Sequence, residues 1–444
     1  MANIVIDGKK ATKKIKPMHS VNNIPQIGDQ WFMDFLKGAD IPYGRLHDTN
    51  GAFGGNLYVD IDNIFRDFSA DENVEENYDF AFTDWLIKQM TENGIQPFYR
   101  LGTSIENCAN IKPIRIFPPK DYNKWARICE HIIRHYNCGW ANGFYYGIEY
   151  WEIWNEPETD GDGSDSCMWR GTKLQYFQLY EVTVNHLKKC FPDIKVGGYA
   201  SCGFYHVLGG TPIADANVPP NAKLFVDYFL DFLRYITSEE HKSPLDFFSW
   251  HSYSNFQSNV GYAEYVRKTL DEYGLTATES ILDEYNPLGT KNKGKLVDAT
   301  NLAANMIALQ HAPLDMLMYY DMNWKSSYCG LFDAFTGEPL KALYVFFAFN
   351  ELYKRKSELF SLCDDENIYC CAAGTDKDFA FMAVNTSEQA KTMNICLKNI
   401  DAKNITLKLI DENNAYRILS VKLNGDVAEI ELQPNAVSII GNLD

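Results

Sequence analysis

A closed parallel (β/α)8 barrel followed by a small antiparallel β-sandwich is the fold class predicted for this 444-residue chain. Three observations predict it. Apolar runs of strand length alternate with helix-length segments through about 340 residues, and eight such runs occur. Near residue 359 the text turns into short strand-like runs divided by turns such as Asn424-Gly425-Asp426. A doubly wound sheet, the rival architecture, would show a Gly-rich turn after its first strand, and none is present.

The elements follow in order. The opening NIVIDG reads as a strand with no helix to itself, so residues 1–12 are a candidate to complete the sandwich. The barrel is placed over residues 13–355 and the sandwich over 359–444. Barrel strands are expected within 13–22, 41–47, 95–102, 145–157, 194–200, 245–253, 276–286 and 314–324. Helices are expected over 80–93, 121–137, 172–189, 223–240, 261–273, 297–311 and 338–355. The segment 121–137 shows the pattern best, with apolar letters at 125, 128, 129, 132, 133 and 136, a 3.6-residue stripe. The loop 51–79 is too long and acidic for an ordinary connection and is assigned to the wall of a site.

Composition bounds the function. A net charge of -18 disfavours nucleic acid and anionic membranes as partners, while leaving room for a local basic pocket. No apolar run is long enough to span a bilayer, and no signal peptide is recognisable. Eleven cysteines, odd in number and without a C-x-x-C pair, read as reduced thiols in a cytoplasm. The aromatic content of 14% suits sugar stacking, but a large core uses aromatics too, so it decides little. No cofactor is expected. The chain has no P-loop, no dinucleotide fingerprint and no G-x-S-x-G elbow. It has no H-E-x-x-H, and the i, i+4 pair His131 and His135 sits on a packed helix, so no metal is expected.

The chemistry is carried by two carboxylates. Tyr150-Trp151-Glu152-Ile153-Trp154-Asn155-Glu156-Pro157 sets an amide and a carboxyl at the C-terminal end of the fourth strand, the rim where such barrels do their chemistry. Leu282-Asp283-Glu284-Tyr285-Asn286-Pro287 does the same on the seventh. Two rim carboxylates are what acid and nucleophile work on a glycosidic bond requires. Glu156 is assigned as acid/base, with Trp154 as an apolar neighbour that raises its proton affinity. Strand alternation up to the proline would put Glu152, Trp154 and Glu156 on one side and Trp151, Ile153 and Asn155 on the other. Glu152 would then lie deeper, a rival catalyst or a buried support. Glu284 is assigned as nucleophile, with Asp283 and Glu279 as competitors. Simple alternation does not allow Asp283 and Glu284 both to face the axis.

The same residues resemble glycoside hydrolase family 39, the β-xylosidase and α-L-iduronidase family within the retaining (β/α)8 glycosidases. The resemblance covers nearly the whole chain. It implies that Asn155-Glu156-Pro157 carries the acid/base after strand four and that Asp283-Glu284-Tyr285-Asn286 carries the nucleophile on strand seven. Arg45-Leu46-His47 resembles the strand-two Arg-x-His motif, and His251-Ser252-Tyr253 the strand-six pattern. The chain departs in having Asp-Glu-Tyr for Thr-Glu-Trp on strand seven, and in Tyr320-Asp321-Met322-Asn323-Trp324 on strand eight.

Further substrate contacts are assigned to Asn155 at a sugar 2-hydroxyl, to Arg45 and His47 near the nucleophile, and to His251 and Tyr253. Asp321, Asn323 and Trp324 are assigned as hydroxyl contacts and a stacking floor. Arg100 and Glu106 are assigned to a substrate carboxylate or hydroxyl. Each has a structural alternative, as a cap, a buried ion pair or rim filling. The expected activity is that of a retaining exo-β-glycosidase, most like a β-xylosidase, acting on oligosaccharides or glycosides. The alternatives are a β-galactosidase, β-glucosidase, uronidase or arabinopyranosidase of the same mechanism, an endo-acting hydrolase, or an inactive carbohydrate-binding protein. A homo-oligomer is compatible with the chain.

Overall fold

The computed structural model describes residues 1–24, 31–49, 57–105, 115–158, 166–212, 220–286, 290–401 and 405–443. Eight parallel strands close into a barrel: Ser20–Asn22, Tyr43–Leu46, Gln96–Leu101, Tyr150–Ile153, Lys195–Ser201, Phe247–Ser252, Glu279–Tyr285 and Met316–Tyr319. They are called barrel strands one to eight below. Seven of the connecting or following helices are those read from the sequence, now bounded as Ala81–Glu92, Tyr122–Cys138, Lys173–Cys190, Pro220–Thr237, Phe256–Glu272, Leu296–His311 and Leu343–Tyr353. The short helix Trp31–Leu36, between strands one and two, was not expected.

The helix Tyr122–Cys138 shows why these segments fold as they do. Asp121 caps it by accepting from the Lys124 amide, and Gly139 closes it at φ 75°, a left-handed conformation that favours glycine. The six apolar positions of its stripe are all buried. The helix Lys173–Cys190 begins with a reciprocal capping box between Thr172 and Gln175.

The barrel interior changes character along its axis. An apolar layer of Phe98, Tyr150, Phe247, Ile281, Met316 and Met318 fills the lower part. Above it the inward positions become charged: Arg45, Glu152 and Asp283 are all fully buried. Burying such groups is tolerable only if they pair, so this boundary marks where packing yields to a site.

The second unit is a ten-stranded sheet whose inner face encloses its own core, including Ile4, Ile6, Phe379, Phe381, Ile395 and Ile440. Its N-terminal strand, Ala2–Lys14, runs antiparallel to Ser357–Cys363 and parallel to Lys391–Lys398. This parallel pair departs from an otherwise antiparallel sheet, because the strand comes from the far end of the chain. Phe379–Asn385 is buried on both faces. Phe379, Phe381 and Ala383 face the sheet's own core, whereas Ala380, Met382 and Val384 join the barrel core. That explains the uninterrupted apolar run FAFMAV.

Candidate active site

Arg45, from strand two, organises the floor of the site. Its Nη2 lies 2.7 Å from Glu152 Oε2, its Nε 2.8 Å from Asp283 Oδ2 and its Nη1 3.2 Å from Glu284 Oε2. The guanidinium also donates to Asn22 Oδ1 at 3.1 Å and to Asn155 Oδ1 at 2.6 Å. Strands one, two, four and seven thus converge on one buried cation, and only the planar fork of an arginine serves so many acceptors. Burial opposes its charge, but Glu152, Asp283 and Glu284 together push its proton affinity further up.

Two departures from simple strand alternation make this possible. The pairing of strand seven slips between Leu282 and Glu284 against strand six and between Leu282 and Tyr285 against strand eight, leaving one extra residue there. This bulge turns Asp283 and Glu284 toward the same guanidinium, so the expectation that only one could face the axis is corrected. On strand four the regular strand ends at Ile153, and Trp154 and Glu156 have φ of 72° and 45°. The backbone therefore turns before the proline, not at it. Glu152 and Asn155, three apart, both reach Arg45. Trp154 is turned away into the layer behind the strand, where its Nε1 donates to the Met168 carbonyl and its ring meets Trp125 and Trp169. Its expected place as apolar neighbour of the Glu156 carboxyl is corrected accordingly.

Glu156 and Glu284 meet across one imidazole. His251, at the end of strand six, has Nδ1 at 2.7 Å from Glu156 Oε1 and Nε2 at 3.5 Å from Glu284 Oε2. The backbone amide of Glu156 donates to the carbonyls of Tyr199 and Ala200 on strand five, which fixes its bend. The Glu156 side chain is 25% exposed and that of Glu284 only 8%. Burial pushes the Glu284 carboxyl up, opposed by His251, Arg45 and the hydroxyl of Tyr253, which donates to its Oε1. Burial works against a charged His251, but Glu284 and Asp283 outweigh it and hold the ring well above its usual range. Burial lifts Glu152 to about 8, with Asp283 adding to it, while Arg45 and His251 hold Asp283 low.

Glu279 stands elsewhere. It sits at the start of strand seven, bound by Tyr150 and Lys195 at 2.8 and 2.7 Å. His47 is buried beside Asp48, with its Nε2 3.4 Å away, and burial together with Arg100 and Arg45 keeps the ring neutral. Tyr253 is partly exposed, with its ring 5.8 Å from that of Tyr328. Asn323 folds its Oδ1 back onto the Lys325 amide, and Trp324 packs on Phe32 at 5.2 Å with the Lys325 ammonium 5.0 Å from its ring. Arg100 is held by Asp60 at 2.6 Å, and Asp60 also binds Arg115. This ties the described part of the long loop to strand three. Glu106 lies outside the described residues.

Sequence reasoning missed several members. Asn22 and Asn23 close strand one, and Asn23 donates to Asp321 Oδ2 at 3.4 Å. Glu158 is buried two residues past Glu156, on the Ser201 hydroxyl at 2.6 Å, and burial lifts it to about 7. Tyr205 accepts from the Tyr253 amide. Polar letters at strand ends were the available signal for Asn22 and Asn23. Among the described residues, His131 and His135 are engaged by Arg127 and by Asp84 and Trp140. In the donor cluster Glu130, His186 and Cys190, Glu130 is already paired with Arg134 and His186.

Asp321 gives a test of this electrostatics. Burial lifts its carboxyl to about 7 from 3.8, eased by Ser326 and Asn23. Between these values the unfolded chain releases the proton and the folded chain keeps it, so stability falls as pH rises across that window and is flat above it. Asp321→Asn should raise the urea midpoint at pH 8, and the gain should vanish near pH 3.5. An equal gain at both values would contradict the assignment.

Comparison with known proteins places this geometry. A β-xylosidase of Geobacillus stearothermophilus is 27% identical over 243 residues, covering 52% of this chain and 41% of that protein. One of Caldicellulosiruptor saccharolyticus is 29% identical over 157 residues, covering 34% and 30%. The matched segments thus span less than half the length of these relatives. Among solved structures, a glucosidase from Croceicoccus marinus superposes with a TM-score of 0.79 over 100% of both chains at 20% identity. A monomeric β-xylosidase from Caulobacter crescentus CB15 does so with 0.70 over 99% of both at 15%. The model of glycosyl hydrolases family 39 matches residues 39–286, from just before Arg45 to just past Glu284, and the chain belongs to that family.

Proposed function

We propose that the chain is a retaining, exo-acting β-glycosidase, and specifically a β-xylosidase. Glu284 attacks the anomeric carbon while Glu156 passes its proton to the departing glycosidic oxygen. One C–O bond forms to Glu284 as the glycosidic C–O bond breaks. Glu156 then takes a proton from water, whose oxygen displaces Glu284 and leaves the configuration unchanged. The observation that carries this is the pair of rim carboxylates on strands four and seven flanking one buried imidazole. Tyr253 and Arg45 favour the ionised form that Glu284 needs for attack. Asn155, fixed through its oxygen by Arg45, turns its amide nitrogen to a sugar hydroxyl. The choice of xylose rests on the relatives. A cytoplasmic setting belongs to the same proposal and rests on the cysteine pattern.

The test is a panel of aryl β-glycosides with product stereochemistry followed by proton NMR, together with short xylo-oligosaccharides. β-Xyloside is expected to be the best substrate, with β-xylose as first product and xylose alone released from the oligomers. Initial release of α-xylose would exclude the mechanism, and preference for another sugar would exclude the substrate.

Glu156→Ala should lower kcat/KM by about 10²- to 10⁴-fold for a substrate with a poor leaving group. With an activated aryl leaving group the first step should survive, and added azide should restore turnover and yield a β-glycosyl azide. A variant equally impaired on both substrates and indifferent to azide would remove Glu156 from the role.

A further inference from the structure

Asp283 takes no part in the reaction proposed above, yet it is fully buried beside it. Its Oδ2 lies 2.8 Å from Arg45 Nε, close enough for an ion pair though off the hydrogen-bonding direction. Its Oδ1 lies 3.7 Å from His251 Nε2. The His251 ring is buried with carboxylates at both nitrogens, Glu156 on one side and Glu284 with Asp283 on the other. A neutral imidazole has one N–H and one lone pair, so one nitrogen would turn its lone pair on a carboxylate oxygen. Once Glu156 has given up its proton, only the doubly protonated ring suits both ends, Nε2 facing its carboxylates at ion-pair distance and not in a hydrogen bond.

The surroundings weigh both ways. Arg45 and His47 reach in from strand two, Glu152 and Glu156 come from strand four, Tyr253 from the ring's own segment, and Asp283 and Glu284 from strand seven. Arg45 opposes an imidazolium. Burial and Asp283 raise the proton affinity of Glu152, while Arg45 and His251 hold that of Asp283 low, which favours a charged Asp283. Of the two anions at Nε2, Glu284 loses its charge when it becomes an ester, and Asp283 then stands alone.

Building on the reaction proposed above, we propose that Asp283 is a positioning residue that keeps His251 an imidazolium through the glycosyl-enzyme stage. The ring then goes on donating Nδ1–H to Glu156 while Glu156 takes a proton from water. The second step, not the first, depends on this.

The experiment uses the full chain. A dinitrophenyl β-glycoside makes the second step limit kcat, whereas kcat/KM reports the first. In Asp283→Asn, kcat at pH 7 should fall by about tenfold and its basic limb should move down by about one pH unit, with a smaller change in kcat/KM. Equal losses in both constants with an unmoved pH profile would mark a merely structural residue and overturn the proposal. A second measurement does not need the variant to fold. Wild-type protein with ¹⁵N-labelled histidine, trapped by a 2-deoxy-2-fluoro glycoside of the preferred sugar, should show His251 nitrogens at imidazolium shifts at pH 7. Neutral-imidazole shifts in the trapped enzyme would overturn the proposal alone. Failure to find the label on Glu284 by mass spectrometry would overturn it together with the reaction on which it rests.

Discussion

Glu284→Ala is expected to lose at least about 10⁴-fold in kcat/KM, as removal of a nucleophile does elsewhere, while unfolding at the same temperature as the wild type or a higher one. The two halves have one cause. Burial disfavours the ionised carboxylate, and Glu156 adds to this, so the ionised Glu284 that the proposed attack on carbon requires is held at some cost to the fold. Its charge is a folding penalty at neutral pH, because the unfolded chain ionises the same group freely. Deleting the side chain removes the penalty. It does not strand Arg45, which keeps Glu152 and Asp283 within 2.8 Å. Kinetics with an activated aryl glycoside and calorimetry at pH 7 test both halves. Retained activity would assign the nucleophile elsewhere. A large loss of stability would mean that Glu284 is part of the structural network, not a strained passenger on it.

The barrel was legible because its signals are local. Strands of three to seven residues and helices with a clear apolar stripe leave their period in the sequence, and seven of the eight barrel strands lie inside the segments read from it, the fifth running one residue past its own. The site was legible in part. Polar residues at the ends of apolar runs pointed to Glu156, Glu284, Arg45 and His251. What did not appear was orientation at the two places where the backbone breaks its period. A bulge at Asp283 and left-handed turns at Trp154 and Glu156 are set by neighbouring strands and by the demand of Arg45 for acceptors, and no pattern within either strand announces them. Loop contacts such as Asp60 with Arg100, forty residues apart, are likewise properties of the closed barrel. Residue type revealed which groups gather at the rim, and only the three-dimensional arrangement revealed which of them touch.

Arg45→Met is expected to cost about 3–5 kcal/mol of stability at pH 7, the range seen when one partner of a buried charge pair is removed. The apolar replacement fills the space but leaves Asp283 and Glu284 beneath the site without their cation, and Glu152 without its donor. Asn22 and Asn155 lose one as well. His251 faces the two strand-seven carboxylates only at 3.5 to 3.7 Å and cannot stand in for a guanidinium between them. Arg45→Lys should recover less than half of the loss, since an ammonium cannot reach acceptors from three strands at once. The pH dependence separates this from a simple packing defect. Without Arg45 the affected carboxyls take up protons more readily in the fold than in the unfolded chain, so the variant loses stability as pH rises through the window between those two affinities. The difference from wild type should therefore be greatest near pH 8 and shrink toward pH 4, measured as denaturant midpoints. A deficit that stays constant across that range would show that Arg45 contributes shape, and the charge network would not be what holds the floor of the site together.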